Sequence, residues 1–397
     1  MIARNSRVLL PLRLVAQPVC SESTFRCSDI QVTKTKTPGV KPPVEKLLFG
    51  KTFSDHMLVS KWTSSHGWDK PQIKPVGPLD LHPAAKALHY AQEIFEGMKA
   101  YRGVDGIVRL FRPEMNGKRM LISAERSCLP LYDLKEWVSC VKRFVKEDID
   151  WVPPCDPNNL TSSPSLYIRP FMFGSEPTLG VSPANEVMFI VMAGPVGPYF
   201  ASGFKPVSLL ADPKLVRAWP GGTGYTKMGS NYAPTLALQK NAAQQGCQQV
   251  LWLFGKDRLI TEVGTMNMFM VLRGTDKEFE LITPPISSGL ILPGVTRNSI
   301  LELAKDWKDV KVTEREVSLD ELLALNKENK VVEVFGAGTA CIVCPVAEIV
   351  YEGERHSVLP PENSVLLSQR AVDELLGIQF GKPDLLKKRP DWVMNVE

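Results

Sequence analysis

No apolar run in the chain approaches the roughly 18 residues that would signal a membrane span. A dense block of lysine or arginine is missing too, and the formal net charge is only +4 over 397 residues, which argues against nucleic acid as the main partner. The eight cysteines are scattered rather than evenly spaced, so the chain does not look like a disulfide scaffold and a reducing compartment is expected. Internal repeats and low-complexity tracts are lacking. What is present is an ordinary globular composition, 44% apolar and 23% charged, at a length where one core usually gives way to two domains. A small-molecule site fits that balance best.

Two nucleotide signatures are also missing from the glycine-rich stretch "GGTGYTKMGSNYAP", residues 221 to 234. A phosphate-binding P-loop needs glycine directly before its lysine and a hydroxyl residue directly after it, but Thr226 and Met228 flank Lys227. In a dinucleotide fingerprint starting at Gly222 and Gly224, the final glycine would fall on Lys227. Two readings of Lys227 stay open locally: a surface charge in a loop, or a buried amine that forms a Schiff base. The second requires the pKa of free lysine, about 10.4, to be lowered by burial or a neighbouring cation.

The chain begins with Arg4, Arg7 and Arg13, no acidic residue before Glu22, and an apolar set at Val8, Leu9, Leu12 and Leu14. Although Pro11 interrupts a helix there, the composition is that of a mitochondrial transit peptide over residues 1–27, with a cytoplasmic protein as the alternative. Residues 28–46 are polar and proline-rich and are expected to be a linker. A small domain is expected over 47–197, an interdomain loop at 198–208 where glycine and proline are dense, and a larger domain over 209–397.

Helical patterns fall at "AAKALHYAQEIFEGMKAY", "LKEWVSCVKRFVKEDI", "APTLALQKNAAQQ", "TRNSILELAKDW" and "SVLLSQRAVDELL". Strand-like runs fall at "LYIRPFMF", "EVMFIVMAG", "VSLLAD", "QQVLWLF", "NMFMVL" and "FELITPP". Both halves mix the two types without a strict βαβ rhythm, so the expected architecture is α+β with two domains.

A wider pattern separates the two readings of Lys227. The motifs "FEGMKAYRG", "VRLFRPEMNGKRM", "LYIRP", "GSEPTLGV", "VRAWPGGTGYTKMGSNYAPT", "ITEVGTMNMF", "ILPGVTR" and "GAGTACIVCPV" run collinearly from about Phe49 to the C-terminus. Together they closely resemble the branched-chain-amino-acid aminotransferases. These are pyridoxal 5'-phosphate (PLP) enzymes whose fold type is shared with D-amino-acid aminotransferase, with a small N-terminal and a larger C-terminal α/β domain. The resemblance implies that Lys227 is the Schiff-base lysine and the base that moves the substrate's proton. It implies Glu262 at the cofactor's ring nitrogen and Tyr232 at its phenolic oxygen. Arg119, Arg217, Thr265, Thr339 and the helix start at Val295 and Thr296 complete the cofactor set, the last favouring phosphate through its N–H groups and dipole.

On the substrate side the resemblance implies that Phe49, Tyr167 and Tyr199 line an aromatic pocket, and that Arg169 meets the distal carboxylate of glutamate or 2-oxoglutarate. Thr265 and the N–H groups of Ala340 and Cys341 would hold the α-carboxylate, and Tyr90 would come from the partner subunit of a homodimer. The substrates implied are leucine, isoleucine and valine with their branched 2-oxo acids. Taken singly, each aromatic is as well explained by core packing, and each charge by an ordinary surface position. "GYTK" and Ser230 in "GSN" depart from the family's usual residues around the lysine. The spacing of Cys341 and Cys344 supplies only two of a zinc site's four ligands; the resemblance implies a thiol switch, the alternative being two small residues in a turn. The rival readings are another enzyme of the same fold, such as a D-amino-acid aminotransferase or an aminodeoxychorismate lyase, and an inactive relative that binds or senses.

Overall fold

The computed structural model describes residues 24–197, 205–275, 277–362 and 364–397. The leader up to residue 23 and most of the expected interdomain loop, Tyr199 included, lie outside the described residues. The first nine strands are β1 (Gln31–Val32), β2 (His56–Thr63), β3 (Gly67–Trp68), β4 (Gln72–Pro75), β5 (Glu93–Phe95), β6 (Met98–Arg102), β7 (Val108–Phe111), β8 (Ser165–Gly174) and β9 (Glu186–Val196). They belong to one sheet, whose main path runs β1-β4-β2-β9-β8-β6-β7, with β3 beside β2 and β5 beside β8.

The second sheet holds β10 (Val207–Ala211), β11 (Gln249–Phe254), β12 (Leu259–Val263), β13 (Met266–Arg273), β14 (Phe279–Thr283), β15 (Val310–Glu314), β16 (Val331–Gly338), β17 (Ile342–Tyr351) and β18 (Glu354–Ser357). Its order is β12-β11-β10-β17-β16-β13-β14-β15, and an additional β12–β13 pairing closes the first part into a ring. Alternate residues point into that ring: Val207, Leu209 and Ala211 meet Leu251, Leu253, Met266, Met268 and Met270 in one core. The opposite face of the same strands, with Phe269, Val271 and Phe335, packs against helices. Burial on both faces explains the nearly unbroken apolar run of β13.

The described residues also form eight α-helices: α1 (Lys86–Tyr90), α2 (Pro113–Arg126), α3 (Leu134–Glu147), α4 (Leu236–Gln244), α5 (Val295–Ala304), α6 (Leu319–Lys327), α7 (Leu367–Gln379) and α8 (Pro383–Leu386). Helices α2 and α3 cover the first sheet through Met120, Ala124, Trp137, Val141 and Phe144. The side chain of Asp133 caps α3 by accepting from the N–H groups of Lys135 and Glu136 at 2.8 and 3.0 Å. Helices α5 and α7 cover the second sheet. None of the helices is long and apolar enough to cross a membrane.

Three expectations need correction. The long helix expected over "AAKALHYAQEIFEGMKAY" is only α1: Ala91 turns left-handed at φ 49°, and the following residues become β5 and β6. Pairing with β8 overrides the helical spacing, and Gly97 must stay glycine because an added Cβ would lie 2.1 Å from the Tyr167 hydroxyl. Residues 28–46 are not simply a linker, since β1 pairs with β4, and Phe25, inside the expected leader, is 1% exposed. Its ring stacks on Phe189 at 5.1 Å and on Tyr132 at 5.8 Å, a contact whose loss on truncation costs about 3–5 kcal/mol. Finally, β10 already starts at Val207, and the last strand, β19 (Val393–Asn395), returns to pair with β7 in the first sheet.

Candidate active site

A cavity of about 620 Å³ lies between the two sheets. One wall comes from β8, where the two-residue period turns Tyr167, Arg169 and Phe171 toward the cavity while Leu166 and Ile168 enter the core. Tyr167 meets Phe49 edge-on at 4.8 Å and accepts a hydrogen bond from the Arg169 guanidinium at 3.0 Å. That guanidinium also lies 4.7 Å from the centre of the Phe95 ring. An arginine here is held by ring faces and one hydroxyl, with no ion pair to a carboxylate among the described residues.

Lys227 enters through its backbone. Its carbonyl accepts from the Phe95 N–H at 3.0 Å, its own N–H donates to the Ser123 hydroxyl at 2.9 Å, and Met228 bridges to Ile94. The segment is thus clamped between β5 and α2, and the amine donates to the Tyr232 hydroxyl at 3.1 Å, 4.8 Å from the Phe95 ring centre. Asn231 ties the loop shut by donating to the carbonyls of Thr223 and Thr226, both at 2.9 Å. The glycines serve backbone packing against protein: a Cβ on Gly224 would meet Ala218 at 2.5 Å, and one on Gly229 would meet the Glu93 carboxylate at 1.8 Å.

Behind the amine lies Glu262, 2% exposed. It accepts from the Leu292 N–H at 2.9 Å and pairs with Arg217 at 2.8 Å. Burial pushes its pKa upward, while Arg217 and the Leu292 N–H pull against that. Arg217 therefore sits on this carboxylate and donates to the Leu290 carbonyl at 3.2 Å; it is not among the cavity-lining residues that approach the α5 start. Arg119 does line the cavity. It is held by Glu96 through two bonds of 2.8 and 2.7 Å and donates to the Pro293 carbonyl at 3.1 Å.

Pro293 leads into α5, whose N-cap is Gly294 with no side-chain cap, so the N–H groups of the first turn at Val295 and Thr296 face the cavity without a side-chain acceptor. A Cβ on Gly294 would fall 2.0 Å from the Asn267 side-chain oxygen, which fixes glycine there. Across from it, the turn joining β16 to β17 brings Thr339, Ala340 and Cys341 to the cavity, and Thr265 lines it beside Met266. The turn is held from the first sheet, where buried Lys99 on β6 donates to the Ala340 carbonyl at 2.9 Å. Burial lowers the Lys99 pKa to about 8.

A family model described as amino-transferase class IV matches residues 93–349. The chain belongs to the class IV aminotransferases. It is similar to the cytosolic branched-chain-amino-acid aminotransferase of Mus musculus, 49% identical over 94% of each chain, and to the mitochondrial one of Rattus norvegicus, 48% identical over 98% of each. Among solved structures, the branched-chain amino acid aminotransferase of Escherichia coli superposes with a TM-score of 0.67 at 25% identity, covering 85% of this chain and 99% of that one.

In this class IV aminotransferase the fold brings Phe49, Arg119, Tyr167, Arg169, Lys227, Tyr232, Thr265, Val295, Thr296, Thr339, Ala340 and Cys341 to one cavity. Glu262 and Arg217 stand behind it. Tyr90 does not reach it: the residue is 40% exposed on α1, and its hydroxyl donates to the Leu179 carbonyl. Burial pushes both the Cys341 and the Cys344 thiol up to about 12, Cys344 lying in the core of the closed ring. Sequence reasoning missed Glu96, Asn231, Asn267 and Lys99. All four lie inside the quoted motifs, Glu96 and Lys99 in "FEGMKAYRG", Asn231 in "GGTGYTKMGSNYAP" and Asn267 in "ITEVGTMNMF", but local spacing does not tell which distant partner each one holds.

Proposed function

We propose that the chain transfers the amino group of leucine, isoleucine or valine to 2-oxoglutarate, reversibly and in two half-reactions, as a PLP-dependent branched-chain-amino-acid aminotransferase. The relatives' names point to the substrate class, and the observation that carries the reading is the Lys227 amine 3.1 Å from the Tyr232 hydroxyl, with the buried Glu262 behind them and the open helix start of α5 at the other side of the same cavity. The side chains present fit PLP: an amine for its aldehyde, a phenol for its ring oxygen, a carboxylate for its ring nitrogen, and free N–H groups with a cation for its phosphate.

When bound, PLP carries the amino group and withdraws electrons from the substrate's Cα. Glu262 would hold the proton at the ring nitrogen, its charge balanced from behind by Arg217. Val295, Thr296 and Thr339 would take the phosphate, with Arg119 oriented beside them by Glu96. Lys227 would attach the cofactor and, once freed, take the proton from the substrate's Cα and return it on the far side of the transfer, since its clamped backbone keeps the amine in place. Thr265 and the N–H groups of Ala340 and Cys341 would bind the α-carboxylate. Phe49, Phe95 and Tyr167 would enclose an aliphatic side chain, and Arg169 would leave the Phe95 face to meet the distal carboxylate of glutamate.

A homodimer accounts for Tyr90, which would complete the neighbouring site. Exposed Leu88, Leu179 and Val181 beside it form the apolar surface that such a contact would cover. The relatives include both mitochondrial and cytosolic forms, and the arginine-rich, acid-free start favours the mitochondrial matrix here. Residues 1–30 fused to a fluorescent reporter would go to mitochondria; a diffuse cytosolic signal overturns the localisation.

The test of the activity is a donor panel with 2-oxoglutarate, run with and without added PLP. Leucine, isoleucine and valine should turn over and D-alanine should not, and Lys227→Ala should lose turnover. Preference for D-alanine, or an active Lys227→Ala, overturns the reading.

A further inference from the structure

Outside the cavity, a second site of chemistry lies where the N-terminal segment meets α3. Phe25 anchors that segment in the aromatic cluster of Phe189, Tyr132 and Trp68. Two residues later, Cys27 opens a short 3-10 turn, and its N–H donates to the Glu136 carboxylate at 2.7 Å. Glu136 and Cys140 are four apart on α3 and so share one helix face. Docking Cys27 on the first therefore places it against the face that carries the second, and the Cys27 side chain packs on the core cluster that contains Cys140. Cys140 is fully buried, while Cys27 is partly exposed.

We propose that Cys27 and Cys140 are a modification site: an oxidisable thiol pair that closes to a disulfide and clamps the N-terminal segment onto α3, with Cys27 as the sulfur that meets oxidant. The chemistry suits a peroxide. The Cys27 thiolate attacks one peroxide oxygen, the O–O bond breaks, and the leaving oxygen departs as water, leaving Cys27 as a sulfenic acid. The Cys140 sulfur then attacks the Cys27 sulfur; the S–O bond breaks, and the hydroxide leaves as water with the Cys140 proton. Two thiols are oxidised, one peroxide is reduced to two waters, and a dithiol reverses the bond by exchange.

The surroundings favour Cys27 as the attacking group. The neighbouring Cys140 thiol holds its pKa down to about 7, helped by Arg143 and opposed by burial and Glu136, whereas Cys140 is pushed up by its Cys27 neighbour and by burial. Cys341 and Cys344, both near 12, should react later than Cys27. Exposed Cys128 provides an internal comparison for an ordinary surface thiol.

The test treats the full, PLP-loaded chain with one equivalent of hydrogen peroxide, blocks remaining thiols with iodoacetamide and maps peptides by mass spectrometry. A linked peptide containing Cys27 and Cys140 should appear before any involving Cys341, vanish with dithiothreitol and be absent in Cys27→Ser. Protease cleavage within residues 28–46 should slow several-fold on oxidation in the wild type and not in Cys27→Ser. Recovery of Cys27 and Cys140 as separate peptides after Cys128 has been oxidised overturns the proposal, as does oxidation of Cys27 without linkage. Because Cys140→Ser alters a packed core, the exposed partner's variant carries the comparison.

Discussion

The two ends of the cavity are built on different physical terms. Around Lys227 the polar groups are buried and doubly held: Glu262 by Arg217 and the Leu292 N–H, Arg119 by both oxygens of Glu96. Around Arg169 the partners are ring faces and one tyrosine hydroxyl. Breaking a buried pair leaves a desolvated charge, so the first end has one stable arrangement. A guanidinium resting on aromatic faces is easily exchanged for another partner, so the second end can present either an apolar wall or a cation. The first end suits a ligand that never changes, the second a substrate that alternates between aliphatic and acidic side chains.

The largest break in that contrast is Lys227→Ala, which would remove the proposed base and should lower kcat by at least about 100-fold in a leucine assay. Glu96→Gln should come next. It leaves Arg119 buried without its carboxylate and should destabilise the protein by about 3–5 kcal/mol, read as a fall in the urea midpoint. Arg169→Met tests the adaptable end: the KM for 2-oxoglutarate should rise about 10-fold or more, as for loss of a charged hydrogen bond, with the KM for leucine little changed.

The smallest effect concerns Lys99. Its amine is cationic below about pH 8 and loses its charge as pH rises through that value, so its bond to the Ala340 carbonyl weakens above it. The KM for leucine should climb above pH 8 in the wild type more steeply than in Lys99→Met, measured across pH 6.5 to 9.5 on the scale set by that pKa, about 8.

Much of the site was readable from local sequence because local geometry sufficed. The alternation in "LYIRPFMF" already puts Tyr167 and Arg169 on one face of a strand, and "ILPGVTR" before a helical pattern already marks an open helix start. The segment after Ala91 misled for the opposite reason: its apolar spacing suits a helix, but β8 offers a full ladder of backbone partners. The partner of Arg217 was not readable either, because a charge near a motif does not reveal which buried carboxylate claims it.

By itself the sequence determined the family, the lysine at Lys227, the mixed α+β class and most of the strands, all of which depend on residue type and short-range period. Only the tertiary structure decided that Lys99 supports a turn 241 positions away, that Glu96 holds Arg119, and that Cys27 docks on the helix α3 that carries Cys140. Those pairings join groups that chain spacing leaves independent. Burial makes them matter, because a polar group taken out of water must find its partner wherever the fold has placed one.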